Sequence, residues 1–137
     1  MDSPQRFTLS RVERLRKKKA FSYLFSSGKH ARAGFIKIIY TTQLPESLQT
    51  SPLMAGFSVP KRRFKKASDR NLLKRRLREV HRQNKLLLLS DLKRKEENLV
   101  ILYIYQGKHI ASYHEIESLV IKSMRNLREL TGLSKDG

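Results

Sequence analysis

The chain has 137 residues, with 30 Lys/Arg against 12 Asp/Glu, a net charge of +18 and a pI near 10.7, a balance that points to a polyanionic partner. Its 39% hydrophobic content is enough for one core in a single domain spanning 1–137, and the absence of cysteine excludes a disulfide framework and a thiolate metal site. The opening MDSPQRFTLS holds no apolar signal core, and the longest apolar run is seven residues, Leu99 to Tyr105, where a membrane span needs about 20. A soluble, cytoplasmic protein with no membrane partner is therefore expected.

Residues 1–9 read as a flexible arm anchored by Arg6 and Phe7. Ser10 and Glu13 have capping-box spacing, and from Arg16 a helical pattern continues through Phe21, Leu24 and Phe25 to a stop at Gly28. Phe21 and Phe25, one turn apart, admit two readings. They are either core, or a platform for unstacked bases beside Arg14, Arg16, Lys17, Lys18 and Lys19. Phe35 to Tyr40 reads as a strand, residues 41–52 as an exposed loop, and Met54 to Val59 as a second strand ended by Pro60. Gly56 within it marks a bulge or a close approach.

Lys61 to Lys85 hold twelve Lys/Arg against two acids. After a basic loop over 61–67, Ser68 is the expected N-cap of a helix over 68–89, with Leu73, Leu77, Val80 and Leu87 as its apolar stripe. Arg70, Lys74, Arg78 and Arg82 form a cationic row, with Asn71, Arg75 and Lys85 in the same sector. Like charges at i, i+4 repel by a few tenths of a kcal/mol per pair, so this face is unfavourable until an anion covers it. Arginine forks match phosphate, which makes nucleic acid the expected partner. Residues 90–98, SDLKRKEEN, read as a charged linker, and Leu99 to Tyr105 as the central strand before a turn at Gly107. A second capping box, Ser112 with Glu115, opens an amphipathic helix through Ile116, Leu119, Val120, Met124 and Leu127, stopped by Gly132. The expected class is α+β, a small mixed sheet packed with helices in the order α-β-β-α-β-α.

Segments 1–37 and 61–85 carry the whole net charge, and folded side by side they would make one cationic surface. No protein active site is expected. His30, His81, His109 and His114 are scattered without metal spacing, and His81 reads as part of the basic face. No nucleophile elbow, phosphate loop or dinucleotide fingerprint occurs. Any hydrolysis would need its catalyst from elsewhere.

Gly56-Phe57-Ser58-Val59-Pro60-Lys61-Arg62, then Lys65-Lys66-Ala67, then Arg70-Asn71-Leu72-Leu73-Lys74-Arg75-Arg76-Leu77-Arg78-Glu79 resemble the strand end and basic helix of the bacterial ribonuclease P protein family. Arg14-Leu15, Phe21, Leu24-Phe25 and Gly28 fit as well, so the resemblance covers nearly the full length. It implies a ribosomal protein S5 domain 2-like fold with a left-handed β-α-β crossover, an exception to the usual hand. It also implies an RNA catalyst with magnesium held by that RNA, no cofactor on the protein, and removal of the 5′ leader from precursor tRNA. Lys61, Arg62, Lys65, Lys66, Arg70, Asn71, Lys74, Arg75 and Arg78 would then contact the catalytic RNA. Phe21, Phe25, Lys37, Tyr40, Arg14, Lys17 and Lys18 would hold the single-stranded leader, and no DNA partner is expected. Two positions depart from the family pattern. Leu72 stands where it has the second arginine of Arg-Asn-Arg, a contact that Arg76 could take over, and Pro60 replaces a Ser or Ala. The rival readings are a structural RNA-binding protein of ribosomal type and a DNA-binding helix protein, the latter lacking a turn-and-recognition-helix pair.

Overall fold

The computed structural model describes residues 9–133, so the arm expected at 1–9, with Arg6 and Phe7, lies outside the described residues but for Leu9. Eight main elements follow in order: α1 (Lys18–Ser27), β1 (Lys29–Ala33), β2 (Ile36–Thr41), β3 (Leu53–Ser58), α2 (Ala67–Asn84), α3 (Leu86–Lys95), β4 (Leu99–Tyr105) and α4 (Tyr113–Leu130). Short 3-10 turns occupy Arg11–Glu13 and Glu46–Leu48.

The strands form one sheet in the order β1-β2-β4-β3, with β3 parallel to β4 and the other two pairs antiparallel. This is the mixed sheet expected, and its parallel pair is joined through α2 and α3. β4 is interior and covered on both faces, which is why its sequence is an unbroken apolar run. Its alternate residues serve two cores. Leu99, Ile101, Tyr103 and Tyr105 pack with Leu73, Leu77 and Val80 of α2, Leu88 and Leu92 of α3, and Ile116, Val120 and Met124 of α4. Val100 and Leu102 pack on the other face with Ile39, Met54, Leu15, and Ala20 and Leu24 of α1. Thus α1 lies on one face of the sheet and α2, α3 and α4 on the other.

Three expectations change. The first is β1, whose sequence KHARA has neither β-branched residues nor apolar alternation. It forms because the Ala33-Gly34-Phe35-Ile36 turn, with Gly34 at φ 56°, folds it back onto β2. Second, α2 starts one residue early, at Ala67, and Ser68 caps nothing; Lys66 occupies the N-cap with no side-chain bond. Third, the helix expected over 68–89 breaks at Lys85. The break resets the apolar stripe, so that Leu88 and Leu92 are fully buried while Leu87 is exposed. The expected linker is instead mostly α3, which runs to Lys95 and ends on Glu96 in the left-handed region at φ 54°. Gly28 stops α1 as expected, in extended backbone at φ −74°. Space explains it: a Cβ there would meet the Leu24 carbonyl oxygen at 2.5 Å and the Ile39 Cγ2 at 2.7 Å.

Gly56 sits in an unbroken β3 register, so it marks a close approach and no bulge; a Cβ there would press on Leu15 and Leu102 at 3.1–3.2 Å. The loop over 41–52 contributes Leu44 to the core and a 3-10 turn. Both capping boxes form. Glu13 accepts from the Ser10 backbone at 3.0 Å, and Glu115 N–H donates to Ser112 Oγ at 3.2 Å. Gly132, at φ 76°, follows the end of α4. Among the described residues no helix is long and apolar enough to cross a membrane.

Candidate nucleic-acid interface

On α2 the inward residues Leu73, Leu77 and Val80 fix which side faces out. The fully open ridge is Asn71, Arg75 and Arg78, at spacings of 4 and 3, whereas Arg70, Lys74 and Arg82 are half-buried. Lys61, Arg62, Lys65 and Lys66 are exposed in the preceding loop. Its fold depends on Pro60, whose carbonyl accepts from Arg63 N–H at 3.2 Å, and on Phe64, buried in the core.

Arg70, expected to contact the catalytic RNA, also holds the fold together. Its Nη1 donates to the carbonyls of Phe64 and Lys65 at 2.7 and 2.8 Å, tying the basic loop to the first turn of α2. Arg76, half-buried, donates to the Ala111 carbonyl before α4. Arg82 pairs with Glu79, holding that carboxyl below its ordinary range.

His81 is a correction. It is 1% exposed, with Nδ1 2.9 Å from the Tyr103 hydroxyl and its ring edge-on to Phe57 and Tyr103. Burial, then the nearby Lys85 ammonium, pushes its pKa down to about 3, so it is neutral and belongs to the core. Next to it, Lys85 reaches Glu13 at 2.8 Å and leaves the cationic sector to which its sequence position assigns it.

The residues expected to hold a leader divide. Phe25 is 61% exposed, and Phe21 is half-buried against the core under α1. Lys37 points to that same sheet face, opposite Arg32 on β1 and Ile104 on β4, and Ser58 of β3 continues the row beside Ile104. Arg32, Lys37, Ile104 and Ser58 thus cross all four strands in line, with Ile104 packed on the same core as Phe21. Tyr40, three residues from Lys37, falls on the opposite face and is 5% exposed, so it is not part of the row that Lys37 joins. Arg14, Lys17 and Lys18 are exposed. Arg32, Ile104 and Ser58 were not singled out from the sequence, because only the register aligns them.

The two basic segments do not fold side by side into the one cationic surface expected. α1 and α2 are on opposite sides of the sheet, and residues 11–15 run between them along the outer edge of β3, where Leu15 N–H donates to the Ala55 carbonyl at 2.8 Å. The outcome is two cationic surfaces linked around one sheet edge. Titratable groups with shifted pKa are engaged internally: besides Glu13, Glu79 and His81, Asp91 is held low by Arg94 and Arg128. Among the described residues no group of three or more His, Cys, Asp or Glu could hold a metal ion.

Comparison with known proteins converges on one family. The profile of the family described as Ribonuclease P matches residues 9–128. The Ribonuclease P protein component of Chlorobium phaeobacteroides is 32% identical over 134 residues, 90% of this chain and 92% of the relative. That of Porphyromonas gingivalis is 29% identical over 90% of this chain and 89% of its own. Among solved structures, the ribonuclease P protein of Thermotoga maritima superimposes with a TM-score of 0.65 at 21% identity, covering 83% of this chain and 96% of that one. That of Staphylococcus aureus gives 0.61 at 17%, over 85% and 95%. With a profile spanning nearly all the described residues and relatives matched almost end to end, the chain belongs to the ribonuclease P family.

Proposed function

We propose that this chain is the RNA-gripping protein part of ribonuclease P, acting in tRNA processing, and that the bond-breaking is left to an RNA subunit and its magnesium. The basic loop 61–66 and the Asn71–Arg75–Arg78 ridge bind the catalytic RNA. The Arg32–Lys37–Ile104–Ser58 row, flanked by Phe21 and Phe25, holds the single-stranded 5′ leader of precursor tRNA. The observation that carries this reading is the open ridge on α2, three polar or cationic side chains with no acid among them, on a chain of +18. Such a ridge repels itself until phosphates cover it.

The protein then works by position and charge. Neutralising phosphates of two RNAs lowers the magnesium needed to bring them together. Phe25, mostly exposed, offers a π-face to any base, so binding is tolerant of sequence, as leaders of many precursors require. The test is cleavage of precursor tRNA by the catalytic RNA at low magnesium, with and without the chain. Stimulation supports the reading. An unchanged rate overturns it in favour of a purely structural RNA-binding protein.

A further inference from the structure

A cavity of about 340 Å3 opens at the β3 edge between the 11–17 segment, the start of α1 and the β2–β3 loop. Its apolar lining is Val12, Ala20, Leu48 and Met54, and its rim carries Arg11, Arg14, Arg16 and Lys17. The four cations are exposed and no acid lines the cavity. Glu13, in the same segment, is turned away onto Lys85. Arg14 and Lys17, two of the residues expected to hold a leader, stand on this rim, whereas Phe21, Phe25 and Lys37 do not line the cavity.

The walls are built before any ligand arrives. Thr50 Oγ1 donates to the Val12 carbonyl at 2.6 Å, Leu15 N–H to Ala55 at 2.8 Å, and Thr50 N–H points at Met54 Sδ at 3.4 Å. Its volume sits at the low end of the roughly 300–1,000 Å3 typical of small-ligand sites. That suits one nucleotide: phosphates on the rim, a base against methyls, thioether and guanidinium planes.

We propose that this cavity is a third RNA site, taking a single unstacked nucleotide on the flank of the chain between its two larger surfaces. The inference rests on the RNA-gripping reading above and adds a place and a chemistry to it. The nucleotide belongs either to the precursor or to the catalytic RNA.

The experiment uses the full chain and single-stranded RNA oligomers in which an abasic nucleotide is walked along the strand. One position, beyond any whose penalty disappears in Phe25→Ala, should lose about fivefold in affinity. Leu48→Ala should reduce that penalty below about twofold, and Phe21→Ala should leave it in place. Because Arg16 and Lys17 are exposed, Arg16→Gln with Lys17→Gln needs no core rearrangement and should lower the log–log salt slope by about 0.7 per lost phosphate contact. The chain has no cysteine, so Ser47→Cys, beside Leu48, carries a single photocrosslinker in the assembled complex, and Ser118→Cys on α4 is the distant control. A crosslink at one nucleotide supports the site and names its source, precursor or catalytic RNA. Scattered crosslinks, an abasic penalty unchanged in Leu48→Ala, or a salt slope unchanged in the double variant overturns it. If cleavage is still stimulated at low magnesium, only the cavity is lost; if it is not, the wider reading falls too.

Discussion

Glu13 and Lys85 are 72 positions apart in the chain and 2.8 Å apart in space, with 13% and 9% of their side chains exposed. The contact fastens the 11–15 segment, which borders one basic surface, to the α2–α3 junction, which ends the other. Burial alone would raise the Glu13 carboxyl pKa, but hydrogen bonds from Lys85 and Ser10 outweigh it, and the net shift is downward. A carboxyl lowered in the fold adds stability above its unfolded pKa, about 4.3, and loses it as pH falls through the folded value. Glu13→Gln should therefore cost about 1–3 kcal/mol at neutral pH and flatten the acid limb of stability below about pH 4.5, read by urea titration across pH.

His81 and Tyr103 supply a second pH-dependent element. The imidazole titrates near 6.5 when unfolded and near 3 in the core, so the unfolded chain binds more protons between these values. Stability is fully present above about pH 6.5 and falls by up to about 1.4 kcal/mol per pH unit on acidification towards pH 3. Tyr103→Phe leaves Nδ1 without its buried hydroxyl and should cost about 1–3 kcal/mol. His81→Leu with Tyr103→Phe should cost less than the sum of the single changes and remove the slope between pH 6 and 4. A double-mutant cycle by denaturant titration checks both.

Arginines on α2 should separate by what they touch. Arg75→Ala and Arg78→Ala, both exposed, should leave stability within about 0.5 kcal/mol and lower the salt slope of catalytic-RNA binding by roughly 0.7–0.9 each. Arg76→Ala should weaken the fold by about 1 kcal/mol and leave the slope unchanged, because its guanidinium holds the Ala111 carbonyl. Arg70→Lys keeps a charge but lacks the planar fork facing Phe64 and Lys65, so it should lose RNA affinity nearly as fully as Arg70→Ala. Filter binding over a salt series, beside thermal melts, distinguishes the three classes.

Phe25 and Phe21 should also part company. Phe25→Ala should leave the melting temperature unchanged and weaken leader binding by about 1–3 kcal/mol. Phe21→Ala should lower both, since the ring is half-buried on the α1 core. Tyr40→Phe, on the opposite face, should leave leader affinity unchanged. Affinity for precursors with and without a leader measures each effect.

Gly28→Ala should destabilise by about 1–3 kcal/mol, because the added methyl meets a fixed carbonyl and the Ile39 side chain. A thermal melt suffices to test it.

How much of this was readable in advance depended on distance along the chain. The α4 capping box, the β4 run and the inward stripe Leu73–Leu77–Val80 are local patterns, and each formed as its spacing implied. KHARA could not be recognised as a strand, since its partner β2 supplies the pairing. The basic row on α2 was legible as a row, but its members were not interchangeable. Arg75 and Arg78 point outward, while Arg70 and Arg76 are spent on carbonyls up to 35 positions away.

Composition and periodicity alone determined that this is a folded, strongly cationic chain with a mixed α+β pattern and a basic helix to present, because charge and amphipathic spacing are properties of residues near one another in sequence. Only the tertiary structure decided that α1 and α2 occupy opposite faces, that Arg32, Lys37, Ile104 and Ser58 align, and that His81 belongs to the core. Those outcomes depend on strand register and burial, which are set by contacts between residues far apart in the chain.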